Sequence, residues 1–305
     1  METLLDWSLL SATLWKVAPL LLAALAGALC ARVGIFNVAL EGMMLTGAFT
    51  AIVGNYLFGN VLLAVLFACL CVGLLALLFG YLSIGLAANA IVVGTAINFL
   101  ATGLTAFCLF AIFDVKGQYR DSQMSGLPKL DIPLVRDIPV VGELLSGYTP
   151  LVYLAFVLVA VLQFMLFRTV LGFRLRAVGE NPVAAQSLGL HIRRYQYGAV
   201  IASGVLCGLA GAQLSLGQVT LFTENMTAGR GFIALVATML GQSNPLGVLA
   251  SSMLFGFLDT LSTRLQGFSL PTHFTMMFPY VMTLVVMLFV KDKAYLRESG
   301  RLAGK

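Results

Sequence analysis

Charge is what this 305-residue sequence lacks most. Only 10% of its residues are Asp, Glu, Lys or Arg, against about 25% in soluble domains, while 60% are hydrophobic and mean hydropathy is +0.97. That balance excludes a soluble globular chain. Strand-like alternation is missing too, which argues against a β-barrel and for helices as the spanning elements. No G-x-x-x-x-G-K-[ST] phosphate loop occurs, so the chain cannot hold ATP through that motif. The two histidines, His191 and His273, fall on opposite sides of the topology derived below. A zinc or Ser-His-Asp site therefore has nothing to be built from. The chain is expected to be no enzyme, with no metal and no cofactor. All five cysteines sit in apolar runs, and Cys69 and Cys71, two apart, point in different directions on a helix. They read as small buried hydrophobes. The start, METLLDW, lacks the basic region of a cleaved signal, so the first apolar span is expected to be retained.

What the sequence has is a series of apolar runs. Residues 61–82 carry no charge and are long enough to cross a core of roughly 30 Å as a helix. Spans are expected near 12–32, 36–57, 61–82, 89–113, 150–167, 196–216, 231–242, 247–262 and 275–290, nine within a range of eight to ten. The spans at 231–242 and 247–262 are short and broken by glycine, which suggests half-helices or re-entrant pieces. The expected fold class is an all-α polytopic membrane protein with some helices short or broken.

Lys and Arg give the orientation. Arg168, Arg174, Arg176, Arg193 and Arg194 cluster against the single Glu180, and Lys291, Lys293, Arg297, Arg301 and Lys305 follow the last span. Both segments are expected in the cytoplasm, which accounts for the net charge of +5 without a nucleic-acid partner. The loop at about 114–149 carries four basic and five acidic residues and is expected outside. Its prolines and apolar residues, as in LPKLDIPLVRDIPVVGELL, suggest an ordered cap.

The stretch GENPVAAQSLGL, 179–190, is the most informative. Asn181 suits an N-cap, Pro182 the first helical turn and Gly189 a C-terminal stop. The helix between them is too short to be stable alone in water, so it needs a partner surface. Docking to a cytoplasmic subunit and lying on the membrane both satisfy that need.

RAVGENPVAAQSLGLHIRRYQYGAVIASGVLCGLAGA resembles the signature of ABC-importer permeases of the branched-chain amino acid, ribose and nucleoside group. GIFNVALEGMMLTGAF resembles that family's N-terminal motif and ENMTAGRGFIALVATMLGQSNPLG its C-terminal one, in the expected order over most of the chain. The likeness is nearest to the purine-nucleoside branch, which works with a lipoprotein of the basic-membrane-protein type. The resemblance implies one permease domain over residues 1–305, with a cytoplasmic coupling loop at about 168–195. It implies a separate ABC ATPase subunit, a second paralogous permease subunit and an extracytoplasmic substrate-binding lipoprotein, all in the cytoplasmic membrane and its lipid. Asn181, Pro182, Ala184, Ala185 and Gly189 fall in the coupling helix. Ribose or another simple sugar remains an alternative cargo, as does, outside the family, an ion-coupled secondary carrier.

Several polar residues interrupt the apolar spans. Glu41 is the only carboxylate between Asp6 and Asp114, with Asn37 four residues earlier on the same face of a continuous helix. A carboxylate at bilayer depth must face protein or water and have a partner. The pair can line the pathway or anchor the bundle, with Arg32 as the nearest cation. Thr95, Asn98, Thr102 and Thr105 form a stripe on the fourth span, suited to a pore or to helix association. Ala199, Ser203, Cys207 and Gly211 mark a small-residue packing face, and Gln213 and Gln218 follow at its outer end as candidates for touching substrate. Glu224 and Arg230 are candidates for an external gate or two solvated charges. Asp259, inside an apolar span, has Arg264 nearby.

Overall fold

The computed structural model describes residues 7–121, 124–130 and 146–265. The expected span at 275–290, His273 and the basic C-terminal residues lie outside them, as does 131–145 of the proline-rich loop.

Among the described residues ten α-helices follow one another: α1 (Trp7–Arg32), α2 (Leu40–Phe58), α3 (Val61–Gly80), α4 (Ala90–Phe113), α5 (Pro150–Arg168), α6 (Val170–Glu180), α7 (Pro182–Ser187), α8 (Ile192–Ala212), α9 (Arg230–Leu240) and α10 (Pro245–Leu265). π-helical turns extend α3 over Tyr81–Gly85 and α8 over Gln213–Val219. Among the described residues, six segments are long and apolar enough to cross a membrane: Ser8–Arg32, Val61–Gly85, Ala90–Phe113, Pro150–Arg168, Ile192–Val219 and Pro245–Arg264. The protein is a multi-pass helical membrane protein. The expected nine crossings are not all of this kind. α2 is long enough but carries Glu41, Thr46, Thr50 and Asn55, and α9 has only 11 residues.

Sequence chemistry sets the helix boundaries. Asn60 and Asn89 accept hydrogen bonds from the first amides of α3 and α4, and Thr169 from Gly172 in α6. Pro19 inside α1 has no N–H and frees the carbonyl of Trp15 one turn back. Gln218 fills that vacancy, donating from Nε2 to the Trp15 oxygen at 3.1 Å. It is a brace for α1, where the sequence suggested substrate contact.

α1, α2 and α8 form the buried centre, and α3, α4 and α5 surround it with their apolar outer faces exposed. Glycine makes the close approaches. A Cβ at Gly204 or Gly208 would collide with α3 near Ala76 and Cys69, and one at Gly211 with the α2 backbone at Met44 and Ala48. The small-residue face is thus a packing face, as expected. The glycines at 247 and 256 do not break α10, which is a full 21-residue helix. They let it pass against Gly241 and Val17.

The two ends of the bundle differ. One carries Arg32, α6, α7, the α3–α4 turn and the start of α8. At the other, Gln118–Tyr119 pairs antiparallel with Phe222–Thr223, and Leu130 bridges to Tyr148. There Phe113 stacks on Tyr119 at 3.8 Å, and burial with the nearby Asp121 pushes the Tyr119 hydroxyl above its ordinary range.

Candidate functional site

The GIFNVALEG stretch is a break between α1 and α2, not one continuous span. α1 ends at Arg32, Gly34 takes a left-handed turn at φ +78°, and α2 begins at Leu40. Asn37 therefore lies before the helix and does not share a helical face with Glu41. Its Oδ1 accepts from the amide of Ala39 at 3.0 Å, and its Nδ2 approaches Ser203 Oγ at 3.3 Å. Ser203 is eleven residues into α8 (203 minus 192), ~17 Å along its axis. The turn thus reaches the interior of the bundle.

One side chain completes the start of α2 from another helix. Asn98 on α4 accepts from the Gly42 amide through Oδ1 at 2.8 Å and donates through Nδ2 to the Val38 carbonyl at 3.0 Å. A Cβ on Gly42 would lie 2.9 Å from the Asn98 Cα, so glycine is what lets α4 come this near. Asn98 acts as a cap supplied by another helix.

Glu41 supplies the same service to α9. It is 8% exposed, and its Oε1 accepts from the Gly229 amide at 2.8 Å and its Oε2 from the Gly231 amide at 2.6 Å. Those are unpaired donors at the N-terminus of α9, where the helix dipole also favours a negative charge. Insertion of a carboxylate at bilayer depth costs about 2.5–3.5 kcal/mol. Two charge-assisted hydrogen bonds offset that cost. Gly229 sits at φ +83°, and a Cβ at Gly231 would lie 2.5 Å from Glu41 Cα. Both glycines are needed for the contact.

The other end of α9 meets Arg32. Its guanidinium donates to the carbonyls of Ser243 at 2.7 Å and Gln242 at 3.2 Å, just past the helix. Glu41 and Arg32 are therefore not partners of each other. They hold opposite ends of one half-length helix, each with the sign that suits the dipole. Thr238 ties its flank to α1, donating to the Ala24 carbonyl at 2.8 Å.

The other expected site residues are spread through the molecule. Thr95 is half-buried and Thr102 exposed, and both donate to carbonyls of their own helix. Gln213 is fully buried in the π-helical turn. Its Oε1 accepts from Thr149 Oγ1 at 2.7 Å, and its Nε2 has no partner among the described residues. Glu224 and Arg230 do not pair. The Glu224 carboxylate accepts from the Gly117 amide at 2.8 Å, while Arg230 donates to the Met226 carbonyl at 3.1 Å. Asp259 pairs with Lys16 at 3.0 Å, since α10 runs beside α1 in register; Arg264 donates to Ser8.

At the arginine-rich end the expected short helix forms. Asn181 Oδ1 accepts from the Ala184 amide at 3.0 Å, Pro182 opens α7, and Gly189 follows it at φ +80°. Ala185 is buried, while Val183 and Leu188 are 76% and 80% exposed. Just before it, Gly179 rests on the backbone of Arg32 and Gly34, with no room for a Cβ. Sequence reasoning missed Gly179 and Gly231. The paired glycines around Arg230, at the start of an apolar run, were the available signal for the second.

A half-length helix held inside a bundle of spanning helices, with a short exposed helix at one end, defines a transport-type membrane fold. The family model described as branched-chain amino acid transport system / permease component matches residues 9–287, and the chain belongs to that family. Among curated relatives, it is 37% identical to the nucleoside ABC transporter permease NupC of Lactococcus lactis, over 90% of both chains. It is 36% identical to the guanosine ABC transporter permease NupQ of Bacillus subtilis, covering 90% of this chain and 89% of that one. It is also 36% identical to TsgC13 of Haloferax volcanii, a permease provisionally assigned to glucose, over 97% of this chain and 94% of the other. Among solved structures, an ABC transporter provisionally assigned to the metal-chelate type, in an inward-facing conformation, matches with a TM-score of 0.52 at 16% identity. That match covers 92% of this chain and 85% of the other. This last likeness concerns the fold.

Proposed function

We propose that this chain is the transmembrane permease subunit of an ABC importer that carries nucleosides, purine nucleosides in particular, across the cytoplasmic membrane. The observation that carries the reading is the likeness to NupC and NupQ at 36–37% identity over nine-tenths of the chain. A separate ATPase subunit drives transport, a second paralogous permease subunit completes the pathway, and an extracytoplasmic lipoprotein delivers the substrate.

The arginine-rich end faces the cytoplasm by the positive-inside bias. By the same bias the C-terminus, with Lys291, Lys293, Arg297, Arg301 and Lys305, lies on that side. α7, with Asn181, Pro182, Ala184, Ala185 and Gly189, is the coupling helix, and its exposed Val183 and Leu188 supply an apolar surface for the ATPase. A push on α7 reaches Arg32 and Gly34 through Gly179, and from there Glu41 and α9. Asn37, Glu41, Asn98 and α9 form the hinge of the pathway. Thr95, Thr102 and Gln213 offer uncharged hydrogen-bonding groups along it, the free Nε2 of Gln213 foremost. Glu224 and Arg230 flank its external entrance. The likeness to TsgC13 supports a second reading, a sugar cargo.

Uptake of labelled adenosine and guanosine, in cells with and without this chain, tests the proposal. Uptake should be lost without the chain and should withstand excess ribose and glucose. Unchanged uptake, with no other nucleoside system present, removes the nucleoside reading. Glucose or ribose uptake lost instead supports the second.

A further inference from the structure

At the arginine-rich end, the α1–α2 turn, the α3–α4 turn and the start of α8 surround an open cavity of about 1180 Å³. His191, Arg193 and Arg194 line it, with Ser83, Gln186 and Gln196 and, among the described residues, no carboxylate. The three basic side chains are exposed and have no side-chain partner among the described residues. In a chain with so little charge, two guanidinium groups and an imidazole around one cavity call for an anionic partner.

Their depth identifies its source. The continuous helix Ile192–Val219 has 28 residues, ~42 Å at 1.5 Å per residue against a hydrocarbon core of roughly 30 Å. Arg193 and Arg194 are the only charged residues in that stretch, so its first turn is the part that belongs at headgroup level. Gly80 and Gly85 lie against the Tyr197 ring, so the end of α3 is at the same level. Directly beside the cavity, Tyr81, Leu86, Ile91 and Val92 turn outward, each more than half exposed. Cationic groups thus adjoin an apolar helix surface that runs into the membrane, matching a molecule with an anionic head and hydrocarbon tails.

We propose that this cavity is a binding site for an anionic phospholipid of the adjoining leaflet. The phosphate lies between Arg193, Arg194 and His191, and an acyl chain follows the outer face of α3 and α4. A free anion or an acidic protein surface would satisfy the charge but has no use for the apolar strip. Because Gln186, Gly189 and the Gly34–Phe36 turn share the wall, a bound lipid braces α7 against the start of α2. The inference does not depend on the cargo.

The test uses the purified full chain in detergent, with thermal unfolding and native mass spectrometry read against added phosphatidylglycerol, phosphatidylcholine or inorganic phosphate. Phosphatidylglycerol should raise Tm and be retained preferentially; the other two should do neither. Arg193→Gln with Arg194→Gln should weaken phosphatidylglycerol binding on the order of 30-fold. Arg168→Gln, an exposed arginine at the same end but outside the cavity, should leave it unchanged. An equal shift with inorganic phosphate makes the site one for soluble anions and overturns the proposal, as does equal retention of phosphatidylcholine. An equal loss with Arg168→Gln reduces it to diffuse surface charge. If the double variant does not fold, His191→Gln and the wild-type preference between the two lipids carry the test, and absence of any preference overturns it.

Discussion

Glu41 and Asp259 are both lone carboxylates in apolar runs, and the fold treats them in opposite ways. Glu41 is buried and held by two backbone amides at the start of α9, with no cation in contact among the described residues. Asp259 is 42% exposed and faces the ammonium of Lys16, itself 29% exposed, which also donates to Thr263. One organises a helix end; the other is an ion pair on a rim. A carboxylate in an apolar stretch therefore does not disclose its work. Its partner's chemistry and its access to water do.

Removing each group sharpens the contrast. Glu41→Ala leaves the buried Gly231 amide and the half-buried Gly229 amide without an acceptor, at about 1–3 kcal/mol for each. The expected loss is about 4 kcal/mol, read as a large fall in Tm of the purified chain and in the amount inserted. Glu41→Gln should recover part of it, since one oxygen can still accept from one amide. An unchanged Tm for both would show that α9 does not depend on this contact.

Asn98→Ala should come next, at about 2 kcal/mol, because the Gly42 amide and the Val38 carbonyl each lose a partner. Transport read beside stability separates its two possible roles. A KM change at unchanged Tm would make Asn98 a pathway residue and weaken its part as a cap. Asp259→Asn should have the smallest effect, under about 1 kcal/mol, because an exposed pair gains little over water. A Tm loss as large as that of Glu41→Ala would break the comparison and make the α1–α10 seam a second anchor.

Local elements were legible in the sequence. Asn181, Pro182 and Gly189 bound α7 as their side-chain chemistry requires, since a cap, a fixed φ and a left-handed stop act within a few residues. The small-residue face of α8 was equally readable, because close helix contact depends on side-chain size at a fixed spacing. The turn before α2 was less so. Asn37 reads as part of a continuous apolar span until Gly34 is seen at positive φ and Asn98 is seen filling the start of the next helix.

Composition and periodicity by themselves determined that this chain spans a membrane as helices, that it lacks the phosphate loop for ATP, and where its short exposed helix lies. Each of these depends on residue type within a window of about one spanning helix or less. The tertiary structure alone decided what Glu41 does. Its two hydrogen-bond donors lie 188 and 190 residues later in the chain, and they are backbone amides, which every residue but proline carries and no sequence pattern marks. Only folding brings the start of α9 to that carboxylate, and only the glycine at 231 leaves room for it to arrive.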